Sequence, residues 1–156
     1  PTPNRLTLLK EWVTDGGGLM MAGGYLSFQG FEGKARYHGT AVEEILPVSI
    51  LPYDDRVETP EGVSGRVVSA HEIVDGLDAE WPILLGYQRA EVKSDAELLA
   101  SVAGDPLLAI REVGKGRTLA FMSDVSPHWA PEEFMSWDGY GRLFANSLRW
   151  LAKANS

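Results

Sequence analysis

The sequence predicts a mixed α/β fold whose sheet has parallel members early and an antiparallel hairpin late. Three observations carry this. Leu6, Leu9, Trp12 and Val13 recur at helical spacing, then Gly16–Gly18 interrupt and the unbroken apolar run Leu19–Ala22 follows. Glycine adopts the left-handed conformation that ends a helix, and an unbroken apolar run predicts an interior strand covered on both faces. Leu107–Val113 and Thr118–Met122 are a second pair of apolar runs, joined by Gly114-Lys115-Gly116-Arg117 at hairpin spacing. Trp137–Lys153 reads as a terminal amphipathic helix with Tyr140, Leu143, Phe144, Leu148 and Leu151 on one side.

The elements follow in order. Asn4 is an N-cap for the first helix. After the strand Leu19–Ala22, Gly23 and Gly24 let the chain turn where a side chain would clash. Phe31–Gly39 is expected as a long surface loop. Thr40 caps a short helix, Ala41–Leu46, which Pro47 ends. Val48–Leu51 is a short strand, Asp54–Glu58 a charged loop closed by Pro60 and Gly62, and Arg66–Ser69 a second short strand. His71–Leu77 is a turn or single helical turn, and Trp81-Pro82 opens a connection. Leu85–Val92 and Glu97–Val102 read as strands, the latter also compatible with a helix. Asp124–Pro131 is the loop after the last strand.

A chain of 156 residues suits one domain, and its 44% hydrophobic and 23% charged content is ordinary for a globular protein. The formal charge of -8 argues against a nucleic-acid partner, because phosphate backbones are met with Lys and Arg. Cysteine is absent, which removes disulfides, thiolate metal sites and thiol nucleophiles together. No apolar run approaches the ~20 residues of a membrane span, and no signal peptide is visible. These features set the expectations of a cytoplasmic location, a small-molecule ligand, and neither a nucleic acid nor a membrane as partner. No cofactor and no metal site are expected.

Two stretches carry polar groups where open α/β sheets place their ligands, just past the carboxyl ends of strands. One is Gly23–Gly30, with Tyr25, Ser27 and Gln29; the other is Ser123–Glu133, with Asp124, His128 and Trp129. If both preceding strands run parallel in one sheet, both loops emerge at one edge. His128 then serves as base or ligand group, oriented by Asp124 or Glu132; the alternative is that Asp124 and Ser126 only bond the loop and His128 and Trp129 pack it down. Ser27 is a candidate nucleophile, although Tyr25 breaks the G-x-S-x-G elbow pattern, and a turn serine also bonds its own backbone. Asp54, Asp55 and Glu58 offer oxygens for a hard cation, but Arg56 among them points to a salt-bridged loop. His38 and His71 are isolated, and Gly114–Arg117 lacks the length and hydroxyl of a P-loop.

The runs GGGLMMAGGYLSFQGFEGKARYHGTAVEEILPV, DDRVETPEGV, WPILLGY, DPLLAI and GKGRTLAFMSDVSPHWAPEEF, with the aromatic terminal helix, resemble the glutamine amidotransferase-like family. This is a bacterial branch of the class I glutamine amidotransferase-like fold, distantly similar to trehalose-utilisation proteins. The resemblance covers nearly the whole chain and implies a flavodoxin-like three-layer α/β architecture. It places the cysteine elbow of active relatives near Gly24, Tyr25 and Leu26, where this chain has no cysteine, and their catalytic histidine in the region of His128. It also implies β–α units ahead of the first helix, so that residues 1–156 are expected to form the C-terminal part of a longer single domain. A missing N-terminal segment or a second copy of the chain is then expected along Leu19–Ala22.

Taken together, these readings give an amidotransferase-like domain without glutaminase activity. The expected role is binding a small polar or sugar-like ligand through Tyr25, Gln29 and Trp129 at the strand-end crevice. A hydrolase using His128 with Asp124 or Ser27 is the alternative, and a structural or assembly module the third.

Overall fold

A computed structural model describes residues 4–153. The elements are α1 (Arg5–Thr14), β1 (Gly18–Ala22), α2 (Ala41–Ile45), β2 (Val48–Ile50), β3 (Arg56–Val67), β4 (Glu80–Gln88), β5 (Ala90–Val92), β6 (Glu97–Val102), β7 (Asp105–Val113), β8 (Gly116–Phe121), α3 (Glu132–Met135) and α4 (Asp138–Leu151). Single 3₁₀ turns lie at Phe31–Gly33 and Glu72–Val74. Asn4 and Thr40 cap α1 and α2 through their side-chain oxygens, as their positions predict.

Six strands form one sheet in the order β1-β8-β7-β6-β3-β4, and β2 and β5 pair separately. β1 runs parallel to β8, with Ala22 beside Phe121; the other pairs are antiparallel. The fold is therefore a mixed α/β fold with a mostly antiparallel sheet and the expected late hairpin, β7–β8. Alternation along β1 and β8 serves both faces. Leu19, Met21, Ala120 and Met122 share a cluster with Leu6 and Leu9 of α1 and Val42 of α2. Met20, Leu119 and Phe121 share the other cluster with Leu143, Trp150 and Leu151 of α4.

Four expectations need correction. Leu19–Ala22 is not an interior strand: β1 ends the sheet, bonded on one side by β8, and all five residues are half-buried. An apolar run reports helices above and below a strand, not neighbours beside it. The charged loop at Asp54–Glu58 is mostly strand, because β3 runs continuously from Arg56 to Val67. Pro60 and Gly62 mark a register shift between Glu58 and Val63 rather than an end. Leu85–Val92 is broken at Arg89: Gln88 pairs with β3 and Ala90 with β2. Trp81-Pro82, expected in a connection, lies inside β4, and α3 was not anticipated.

The hairpin is seated on the end of α1. Val113 pairs with Gly116 around Gly114 and Lys115, and only Gly114 of the two has positive φ, at 56°. The Lys115 amide donates to Thr14 O at 2.9 Å. A Cβ on Gly116 would lie 1.8 Å from Val13 O, and one on Gly114 2.7 Å from Thr14 O. Substituting Gly116→Ala is expected to destabilise the fold by about 2 kcal/mol or more, since helix and hairpin must separate. Gly114→Val adds a β-branched side chain at positive φ and should act in the same direction. Chemical denaturation of the two variants checks this; unchanged midpoints would disprove the close seating.

Candidate functional site

Because β1 and β8 are parallel, the loops that follow them leave at the same end of the sheet. The Tyr25 and His128 rings meet edge to face, their centroids 4.3 Å apart. Gly23 forms the joint, its amide donating to both Phe121 O and Ser123 O. A Cβ there would lie 2.8 Å from Met122 O.

The first loop is held from a distance. Asp55, only 2% exposed, accepts the Gln29 amide on one carboxylate oxygen and the Gly30 amide on the other, both at 2.9 Å. The fully buried Gln88 carboxamide accepts the Gly24 amide at 3.0 Å and donates to Ser27 O at 2.7 Å and to Asp55 at 3.2 Å. Burial pushes the Asp55 carboxyl up from the ordinary range, and the Gln29 and Gly30 amides pull it back. Phe28, also fully buried, anchors the middle of the loop with φ at 50°.

Beside this loop, Asp54 takes the Nε and Nη2 of Arg56, and that bond holds its carboxyl well below the usual carboxylate range. The Arg56 guanidinium lies over the rings of both Tyr25 and Phe31. Glu58 accepts the Tyr25 hydroxyl at 2.9 Å on one oxygen and Trp129 Nε1 at 3.0 Å on the other. Two aromatic residues from separate loops thus share one carboxylate.

The second loop presents the imidazole. His128 Nδ1 lies 3.0 Å from Asp124 Oδ2, and its ring stacks on Trp129 at 5.2 Å between centroids. The backbone of His128 has φ at 155°, which L residues rarely adopt. The loop is bound to β4 through Leu85 N to Trp129 O, Gln88 N to Met122 O, and Ser123 Oγ to Gly86 O. Trp129 lies flat where a Cβ on Gly86 would be 2.3 Å from its Nε1.

Between the loops lies an open cleft of about 440 Å³, floored by Gly23 and Gly24 and lined by Tyr25, Leu26, Ser27, Asp124 and His128. Of the residues singled out in the sequence, Tyr25, Ser27, Asp124 and His128 converge there. Gln29 and Trp129 stand behind it. The Gln29 side chain accepts the His38 amide and donates to Pro52 O, while Trp129 is 1% exposed and bonded to Glu58. No hydrogen bond joins Ser27 to His128 among the described residues. His38 and His71 are occupied by Ile50 O and the Ile73 amide, and no cluster of three metal-binding side chains occurs among the described residues. Asp54, Asp55 and Glu58 are spent on Arg56, amides and aromatic N–H and O–H groups rather than gathered on one point.

Sequence reasoning passed over Gln88 and read Glu58 and Arg56 as parts of a charged, salt-bridged loop, a pairing the structure shows. Gln88 had one legible signal: it is the polar residue that closes the apolar run Trp81–Tyr87. Replacing Asp55 by Ala would strand three N–H groups, of Gln29, Gly30 and Gln88. At ~1–3 kcal/mol for each buried donor left unpaired, the expected loss is at least about 3 kcal/mol. Asp55→Asn, which keeps one acceptor, should fall between. Denaturant midpoints of the pair test this; a loss below 1 kcal/mol for the Ala variant would show that the carboxylate is not the anchor.

Comparison with known proteins places the whole chain. Two cytoplasmic proteins of Salmonella typhimurium superpose with TM-scores of 0.92, at 47% and, for the one from strain LT2, 42% identity. Each match covers 96% of this chain and 61% of the other, so the chain spans about three fifths of their length. A ThuA-like protein of Parabacteroides merdae, 14% identical, shares the fold with a TM-score of 0.68 over 94% of this chain and 64% of its own. No curated protein matches. No helix among the described residues is long and apolar enough to cross a membrane. A family model described as "Putative glutamine amidotransferase" matches residues 1–153, and the chain belongs to that family.

Proposed function

We propose that this chain is an amidotransferase-like domain without glutaminase chemistry, and that its cleft binds a small, uncharged, hydroxyl-rich molecule of the sugar class. The observation that carries the reading is the set of uncommitted polar atoms around the cleft: Asp124 Oδ1, His128 Nε2 and Ser27 Oγ bond nothing among the described residues. Two of these accept hydrogen bonds and the third does both, a pattern suited to hydroxyl donors. Leu26, 74% exposed, and the Tyr25 ring supply the apolar side that such ligands also need. The nearby cation, Arg56, is engaged by Asp54, so an anionic ligand would meet the Asp124 carboxylate without compensation. A cytoplasmic location is consistent with the names of the two Salmonella relatives.

Two incubations test this together. Nuclear magnetic resonance titration with a neutral hexose should shift the Tyr25, Ser27 and His128 signals, and the hexose phosphate should shift them less. Incubation with glutamine should release no ammonia above a heat-killed control, because no thiol nucleophile exists. Equal response to both sugars, or ammonia release lost in His128→Ala, would refute the reading.

We also infer flavodoxin-like layering, with residues 1–156 the C-terminal part of a longer domain. The helices on both faces of β1 and β8 support it, as does the free outer edge of β1. Trp12 (56% exposed) and Leu148 (60%) flank that edge, lining a groove of about 430 Å³ with Gly18 and Met20. Unpaired apolar edges recruit strands, from the same gene product or from a second copy. Light scattering on this 156-residue chain should therefore show self-association. A stable monomer whose outward β1 amides resist hydrogen exchange would show that the sheet is closed without help.

A further inference from the structure

We propose that His128, held by Asp124, is a general base that activates water against an ester of the neutral ligand; the proposal rests on the ligand class assigned above. With Asp124 Oδ2 at 3.0 Å, Nδ1 is the donating nitrogen, so Nε2 carries the lone pair. Nothing among the described residues takes that lone pair. The ring is fixed by the Asp124 bond, by the Trp129 stack and by the Tyr25 edge. Its residue is held at φ of 155°, a conformation kept only where the surroundings over-determine it.

The opposite wall offers donors for a developing oxyanion. Gly24–Ser27 forms a turn closed by Ser27 N to Gly24 O, and the amides of its two central residues, Tyr25 and Leu26, bond nothing among the described residues. Unengaged backbone N–H groups on one loop of the cleft and an uncommitted imidazole on the other are the two elements acyl transfer needs. In the step, Nε2 removes a proton from water while the water oxygen bonds to the acyl carbon and the carbonyl pair moves onto its oxygen. Collapse restores the carbonyl and breaks the bond to the alcohol oxygen, which takes the proton back from Nε2. The products are a carboxylic acid and a free hydroxyl, and no oxidant, reductant or metal enters the balance. Ser27, unbonded to His128, is left to contact the ligand and not to carry the acyl group.

The probes are p-nitrophenyl acetate and a neutral O-acetylated hexose, with released acetate measured beside hexose binding. The protein should release acetate above the buffer rate. His128→Gln should lower the rate by about 10²-fold or more, the usual contribution of a positioned base, while keeping the wild-type circular dichroism spectrum. Free imidazole should partly restore His128→Ala, which loss of structure would not permit. Intact mass should show no acetylated chain; an adduct on Ser27 would overturn water as the nucleophile. Hexose binding without acetate release, or release undiminished in His128→Gln, would refute the base and leave the ligand class standing. His128-dependent release with no hexose binding would support the base and refute the ligand class.

Discussion

The site depends on one buried carboxylate. Asp55 is out of water at the start of β3, yet its partners are the amides of Gln29 and Gly30, about 26 residues earlier, and the Gln88 carboxamide, 33 residues later. A carboxyl group in such a place is tolerable only when its oxygens are hydrogen-bonded, and these three donors serve them. A glycine-rich turn has little side-chain packing of its own to hold it. The loop after β1 is therefore ordered by a strand at the far end of the sheet. Gln88 extends the same tie to Gly24 N and Ser27 O, so the floor of the cleft and its serine are fixed through one carboxamide.

This tie also explains the shape of the sheet. β4 ends it at one side, and the loop after β8 comes round to bond Leu85, Gly86 and Gln88. Trp129 closes against Gly86 with no room for a side chain, and Glu58 then joins Trp129 to Tyr25. The end of the sheet that carries β4 is thus covered by the loops that build the cleft. The end that carries β1 has no such cover among the described residues. Site and free edge are consequences of one arrangement: the polar loops are drawn toward β3 and β4, away from β1's outer side.

What the sequence made legible was local. The caps Asn4 and Thr40, the hairpin glycine, the terminal helix and the two loops past the apolar strands each follow from a residue type acting on its own neighbours. What it hid was lateral or distant. Thr59-Pro60-Glu61-Gly62 has turn composition, and only the pairing of its flanks, Glu58 and Val63, with β4 carries β3 across it. Arg89 is where the chain changes sheets, and the amino-acid pattern of Leu85–Val92 carries no mark of it. Gln29 and Asp55 were both visible as polar residues, one assigned to a ligand and the other to a charged, salt-bridged loop. Neither burial nor partner can be read from one polar residue, because its bond crosses the fold. Four of the site residues converge because β1 and β8 are parallel, a relation the two apolar runs suggested only jointly.

Tyr25 occupies the turn after β1, its hydroxyl donated to Glu58 and its ring against His128. Tyr25 thus supports the imidazole without competing for its free nitrogen. The Glu58 carboxylate is taken by Tyr25 and Trp129, and Asp124 is the carboxylate bonded to the His128 ring. In the reading we propose, the dyad keeps His128 Nε2, which bonds nothing among the described residues, for what enters the cleft, and the acceptors present suit hydroxyls or water.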